Sequence, residues 1–273
     1  MNDSQQPQFE TLKFSLSEHI ATVTLNNPQQ ANAMTATMWT ELQRCFEWID
    51  AEPLARVAIL AGEGKHFCAG IDLSMLSQIF SGEVKDPQRS RENLRLTIKQ
   101  LQANLTTIER CRKPVLAAIQ GACIGGAVDM ICCCDMRYAS RDARFCIKEI
   151  DLALTADVGT LQRLPHLIGR GIANELALTG RNVDAQEACQ QGLINRVFDT
   201  PEQLMIEVNA LAALIAAKSP LAIRGTKEML LYSRDHSVED GLNYVATWNS
   251  ALLHQAEMIK AATTQAEAPQ FDD

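Results

Sequence analysis

Three carboxylates stand where a carboxylate is costly. Asp129 lies in the run Gly126-Ala127-Val128-Asp129-Met130-Ile131, just ahead of three consecutive cysteines. Glu149 falls between Ile147 and Ile150, and Asp157 precedes Val158-Gly159-Thr160. A carboxylate among apolar neighbours loses hydration and must either find partners or hold its proton. Groups in that condition can take and return protons near neutral pH. Each also has an ordinary reading. Asp129 could bond local amides at a helix terminus, Glu149 could pair on the surface with Lys148 or Arg144, and Asp157 could cap a helix. For Glu149 and Asp157, residue type alone favours the ordinary reading.

Two glycine-bearing turns give these carboxylates a context. Phe67-Cys68-Ala69-Gly70-Ile71-Asp72 and Gly121-Ala122-Cys123-Ile124-Gly125-Gly126 both lead from a strand into a helix. Small residues let a ligand oxygen approach backbone N–H groups, and a helix start adds unsatisfied donors. Two such turns facing each other would make an oxyanion hole, with the N–H groups of Ile71 and Gly126 as the best candidates. One donor placed where charge develops contributes roughly 3 kcal/mol to a transition state. Asp129, three residues after Gly126, belongs on the same side of that helix start.

The elements that would hold these groups alternate. Residues 19–25 read as a strand, 35–50 as a helix with Met38, Leu42, Cys45, Phe46 and Ile49 on one face, and 57–61 as a buried strand. Residues 81–91 read as a polar surface loop. Leu94, Ile98, Leu101, Leu105 and Ile108 then mark one apolar core stripe on a long helix. Strands follow at 115–119, 136–139 and 144–147, with a short helix opening at Gly125-Gly126. From Thr160 onward the pattern is mostly helical: Asp184 and Glu187 suggest a capping box, and long helices cover 201–217 and 238–259. This is an α/β pattern with a helical C-terminal third.

Composition sets limits. The 273 residues, 47% hydrophobic and 21% charged, suffice for one large packed domain, alone or with a helical appendage. A net charge of −8 without a basic stripe argues against nucleic acid and against an anionic membrane surface as partners. Nine cysteines, Cys132-Cys133-Cys134 among them, show no disulfide or metal-ligand spacing, so they read as core residues and no metal is expected. No signal-peptide pattern precedes the first strand and no peroxisomal address ends the chain, so a cytoplasmic protein is expected.

The runs FCAGID, GACIGGAVDM and KEIDLALTADVGTLQRLP resemble those of the crotonase, or enoyl-CoA hydratase/isomerase, superfamily, from about residue 9 to 262. The combination of Asp129, Glu149 and Asp157 with TADVGTLQRLP and the later YSRDHSV resembles the Δ3,5-Δ2,4-dienoyl-CoA isomerases within it. The resemblance implies a crotonase-like spiral of ββα repeats over residues 1–200, a helical trimerisation region over 201–262 and a flexible tail over 263–273. It also implies a homotrimer or homohexamer acting on an acyl-CoA, with coenzyme A as part of the substrate and no separate cofactor. By motif, Ile71 and Gly126 supply the oxyanion-hole amides, and Asp129, Glu149 and Asp157 are the catalytic acids. Gln30, Ala31, Ala33, Lys65, Ala69 and Lys227 are the CoA-binding candidates. Where relatives often carry Lys or Arg, the CoA turn here has Gln29 and Gln30, which puts a phosphate contact there in doubt. The implied reaction moves a proton from C2 to C6 of a 3,5-dienoyl thioester. Hydration of a 2-enoyl-CoA is the nearest alternative, and a non-catalytic CoA-binding scaffold the alternative of another class.

Overall fold

The computed structural model describes residues 6–81, 86–253 and 258–259. An antiparallel pair, β1 (Leu12–Ser17) and β2 (Ile20–Leu25), is followed by α1 (Ala36–Ala51), β3 (Val57–Gly62), α2 (Leu73–Ser81) and α3 (Pro87–Arg110). Next come β4 (Val115–Ile119), β5 (Ala122–Ile124), α4 (Gly126–Cys132), β6 (Met136–Ser140) and β7 (Arg144–Cys146). A single turn, α5 (Thr160–Arg163), leads to α6 (Arg170–Thr179), β8 (Val183–Asp184), α7 (Ala185–Gln191) and β9 (Arg196–Phe198). Beyond them lie α8 (Pro201–Ala216), α9 (Pro220–Tyr232) and α10 (Val238–Leu252).

The larger sheet has the order β1-β2-β3-β4-β6-β9 and is parallel after its first pair, while β5-β7-β8 form a smaller one. The chain steps from the large sheet to the small one twice, β4 to β5 and β6 to β7, as a ββα spiral requires. β3 and β4 are apolar almost throughout because both faces are covered. Ala58, Leu60, Ala117 and Ile119 join the main core on one side. Val57, Ile59, Leu116 and Ala118 meet Leu204, Val208 and Ala212 of α8 on the other. Since α8 seals the large sheet, a core ending at residue 200 would leave that face bare. Beyond α8, α9 packs on α10. The tail over 263–273 lies outside the described residues.

Several local expectations change. Strand β1 carries only a weak alternation of burial, too little for sequence periodicity to mark it. Asp86 caps α3 by accepting from Gln88 N at 2.9 Å, so most of the loop expected over 81–91 is helix; residues 82–85 lie outside the described residues. Only Leu101, Leu105 and Ile108 of the expected stripe are buried, because the first turns of α3 project past α1. Asp184 does accept from Glu187 N at 2.8 Å, but the Glu187 carboxylate turns to Arg181 Nη2 at 2.6 Å instead of closing a capping box. The closed box belongs to Ser237 and Asp240 at the start of α10, and that helix ends at Leu252 rather than 259. Cys132, Cys133 and Cys134 are buried, and desolvation pushes all three thiols up.

The two loops that deliver the candidate site are fastened by one side chain. Asn32, fully buried and in the left-handed region at φ +55°, accepts from Asn27 N at 2.8 Å. Its amide donates to the carbonyls of Glu63, His66 and Phe67 at 2.9, 2.8 and 3.1 Å. The short turn after β2 is thereby tied to the segment leading into Gly70 and Ile71. Replacing Asn32 with Ala strands these groups away from water. Asn32→Ala is expected to lower unfolding free energy by about 3 kcal/mol in urea denaturation. Asn32→Asp, which turns a carboxylate toward three carbonyls, is expected to lower it at least as far.

Candidate active site

Backbone geometry builds the first half of the site. Cys68 pairs with Cys123, and Met34 with Ile71, as isolated parallel bridges that lay the two glycine turns side by side. Met34 N donates to Gly70 O at 2.8 Å and Asp72 N to Met34 O at 3.1 Å, which leaves the intervening Ile71 N–H outside the ladder. Gly70 has φ +91°, and a Cβ there would lie 2.6 Å from Ile124 O, so this approach is open only to glycine. A Cβ on Gly126 would lie 3.8 Å from Ile71 N, which fixes how near the two turns come. Gly126 opens α4, so its N–H has no intrahelical acceptor. Among the described residues, neither amide donates to another protein group.

Both residues line a cavity of about 530 Å³ bounded also by Gln30, Ala33, Ala69, Leu73 and Glu149. Glu149 reaches it from the first turn after β7, with its Oε1 3.3 Å from where a Cβ on Gly125 would lie. Lys148, the surface partner considered from sequence, bonds Asp151 instead. The other Glu149 oxygen is buried and unpaired among the described residues. Burial, and then the charge of Asp129, raise the Glu149 carboxyl to about 7. Asp129 itself is fully buried behind Gly126. It accepts from Thr160 N at 2.5 Å through Oδ1, while Oδ2 has no partner among the described residues. Desolvation raises it to about 6, against the pull of the Thr160 amide. The amide that Asp129 receives thus comes from α5, not from its own helix.

Asp157 is placed differently. Much of its surface is exposed, and it does not line the 530 Å³ cavity. It is no cap either, since Gly159 holds that position for α5. Yet its charge raises both Asp129 and Glu149, so the three carboxylates form one electrostatic group, and partial desolvation raises Asp157 as well. Val158 and Gly159, directly after it, line a second, polar cavity of about 440 Å³.

Of the CoA-binding candidates, Gln30, Ala33 and Ala69 line the larger cavity. Ala31 adjoins it and accepts from Ala69 N at 2.9 Å, and Lys65 is exposed on the preceding loop. Lys227 is not at the site. It is 6% exposed, its ammonium 2.7 Å from Asp135 Oδ2 and 3.1 Å from Lys113 O. A cation buried and bonded in this way holds α9 to the body of the fold and is not free for a phosphate. Asn32 and Arg163 escaped notice in the sequence because their partners lie about 30 and 54 residues away, respectively.

Paired free amides beside a buried carboxylate define an α/β enzyme built to stabilise an oxyanion while moving a proton. The chain belongs to the enoyl-CoA hydratase/isomerase family, whose sequence model matches residues 15–273. It is 51% identical to the peroxisomal Δ(3,5)-Δ(2,4)-dienoyl-CoA isomerase of Arabidopsis thaliana, over 88% of this chain and 87% of that one. It is 45% identical to the mitochondrial Δ(3,5)-Δ(2,4)-dienoyl-CoA isomerase of Homo sapiens, over 97% and 82%. The solved enoyl-CoA hydratase of Bacillus anthracis superposes with a TM-score of 0.86 at 30% identity, over 96% of this chain and 99% of that one. These relatives correct the cytoplasmic expectation, since the two isomerases are named peroxisomal and mitochondrial. Compartment is read by receptors from short address segments, and the composition of a folded core carries none of that information.

Raised carboxyls have a cost that can be measured. Glu149 binds its proton more tightly folded than unfolded, so the native state holds extra proton between about pH 4.5 and 7. Stability therefore falls as pH rises through that window. Glu149→Gln removes the ionisable group and is expected to raise unfolding free energy by about 2 kcal/mol at pH 8. In urea denaturation this gain is expected to shrink toward zero below the ordinary carboxylate range.

Proposed function

We propose that the protein isomerises 3,5-dienoyl-CoA thioesters to their 2,4-dienoyl forms. The observation that carries this reading is the unpaired, buried Glu149 carboxyl lining the same cavity as the free amides of Ile71 and Gly126. Identity of 45 to 51% with relatives bearing that activity in their names supports it. With the thioester oxygen on the two amides, Glu149 removes a proton from C2. The electron pair of the broken C–H bond moves toward that oxygen, where donors lower the barrier. The resulting trienolate extends to C6, and Asp157 returns a proton there. Atoms and charge balance with two carboxyl groups, one gaining a proton and one losing it.

The carboxyl shifts suit these roles. Near neutral pH Glu149 is poised between its two forms, and partial desolvation shifts Asp157 upward, the direction an acid needs. Asp129 acts through its charge on Glu149. The CoA moiety is assigned to the mouth of the cavity at Gln30, Ala31, Ala33 and Ala69, with Lys65 nearby for a phosphate. Assembly as a homotrimer or homohexamer is part of the same reading, supported by exposed Leu230, Val238 and Leu242 on α9 and α10.

Purified protein given 3,5-octadienoyl-CoA is expected to generate the ultraviolet band of a 2,4-dienoyl thioester. Absence of the band, with water added to crotonyl-CoA, would establish a hydratase instead; neither activity, with retained CoA affinity, would leave a scaffold. Glu149→Gln and Asp157→Asn are each expected to lower kcat on the order of 10³-fold while the fold persists. An unchanged rate in the second variant removes Asp157 from the mechanism. A further check is the pH profile. Activity is expected to rise with pH through about 7 as Glu149 ionises, and a rate independent of pH across that range would remove Glu149 as the base.

A further inference from the structure

One face of α3 is turned toward the loop that bears Asp157. Gln102, Thr106 and Glu109 recur at spacings of four and three, so they form a stripe beside the apolar one that packs on the core. Gln102 Nε2 donates to the backbone carbonyl of Asp157 at 2.6 Å. Thr106 Oγ1 accepts from Arg163 Nη2 at 3.2 Å. Glu109 receives Arg163 through two bonds, Nε to Oε1 and Nη2 to Oε2, both at 3.0 Å. The remaining nitrogen of that guanidinium, Nη1, lies against Gly159, whose φ is +134°; a Cβ there would fall on it. Arg163 and Glu109 are 13% and 11% exposed, so solvent screens this pair little. Glu109 also accepts from Arg234, in the turn between α9 and α10.

We propose that Arg163, clamped by Thr106 and Glu109 and tied through Glu109 to Arg234, is a positioning residue for the Asp157–Thr160 loop. In this arrangement α3 and the C-terminal helical pair together place both the acid and the amide held by Asp129. The proposal rests on the isomerase reading of the site for its kinetic consequences, but its structural consequence stands apart. Arg163 sits on the same short turn as Thr160, whose N–H holds Asp129 Oδ1. Its bidentate pairing fixes the direction in which that turn begins, a property that Lys cannot supply. Its charge also reaches Asp129. Facing Asp129 are the carboxylates of Asp157 and Glu149, which favour its protonated form, and the Thr160 amide with Arg163, which favour its ionised form. Glu109 on α3 and Arg234 beyond it balance Arg163 from the other side.

The test compares Arg163→Met, Arg163→Lys and Gln102→Leu with the native enzyme on 3,5-octadienoyl-CoA. Arg163→Met is expected to lower kcat roughly 10- to 100-fold with KM changed less than about twofold, because the loop no longer holds its acid in line. The acidic limb of its pH profile, set by Glu149, is expected to move down by about half a unit, since Asp129 loses a cation that favours its ionised form and then repels the Glu149 charge less. Arg163→Lys is expected to restore the limb but only part of kcat. An unmoved limb in Arg163→Met, with activity tracking the folded fraction, overturns the proposal and leaves an ordinary buried ion pair. Should Arg163→Met fail to fold, Gln102→Leu decides, since it removes only the bond to the Asp157 carbonyl. A lowered kcat at constant KM supports the positioning role, and an unchanged kcat overturns it. If the native protein itself does not isomerise the substrate, the isomerase reading fails and the inference is judged on stability alone. The decline of stability with pH is then expected to extend to higher pH in Arg163→Met than in the native chain, and identical curves overturn it.

Discussion

Asp129 has no exposed surface and receives a single amide, and one of its oxygens has no partner among the described residues. Glu149, next to it, is partly exposed to the cavity, but one of its oxygens is likewise buried with no partner among the described residues. Two like charges sharing a wall from which water has been removed repel each other strongly, and the repulsion can be relieved only by proton uptake or by nearby donors. The fold supplies little of the second kind. One N–H from Thr160 and one half-neutralised guanidinium from Arg163 keep Asp129 from retaining its proton altogether, without making ionisation easy. A fuller complement of donors would lock both carboxylates in their charged forms and remove the proton affinity that the chemistry uses. Under the proposed mechanism this deficient satisfaction is the functional property, and it is carried as a stability deficit at neutral pH.

Everything else in the wall is backbone. The amides of Ile71 and Gly126 are held by strand-like bridges between turns far apart in sequence, not by side chains that could swing. Such donors need no reorganisation when charge develops on a bound oxygen, which is why preorganised amides outperform water. Their spacing depends on Gly70, where a side chain would meet a carbonyl, and on Asn32, which pins the approaching loop. Loops that connect parallel strands of a spiral end on one side of the sheet, so this topology collects several turns around one cavity. The large parallel sheet, sealed by α8 on one face, is the rigid part against which those turns are registered.

The extent to which this could be read from sequence follows the range of the forces involved. Periodicity located α1 and the long helices, short apolar runs located β2, β3 and β4, and Gly125-Gly126 marked the start of α4, because these signals are local in the chain. The glycine turns and the carboxylates could be picked out by type, but only resemblance to a family joined Asp129, Glu149 and Asp157 into a constellation. Lys227 was misplaced because family resemblance put a CoA-binding cation there, while its partner, Asp135, lies 92 residues earlier. α3 extended further than its apolar stripe because a capping aspartate and Pro87 start a helix without hydrophobic help. Asn32 and Arg163 carry no local signal, since each is defined by partners that only the folded chain brings near.

Asp157 marks where fold and chemistry are least redundant. It stands beyond the wall that Glu149 and the amides share, on a loop that no sheet supports, yet a proton delivered to the far end of a conjugated chain must come from a point removed from the base. A single carboxyl in the cavity would return the proton near where it was taken. In the proposed reaction, separation of acid and base is what distinguishes a shift along a diene from simple exchange at C2, and Asp157 is the carboxylate whose loop would supply it. Loops are the elements that open first. The consequence is that precision at Asp157 has to come from outside the loop, and the side chains available for it are those of Gln102, Arg163 and, through Glu109, Arg234.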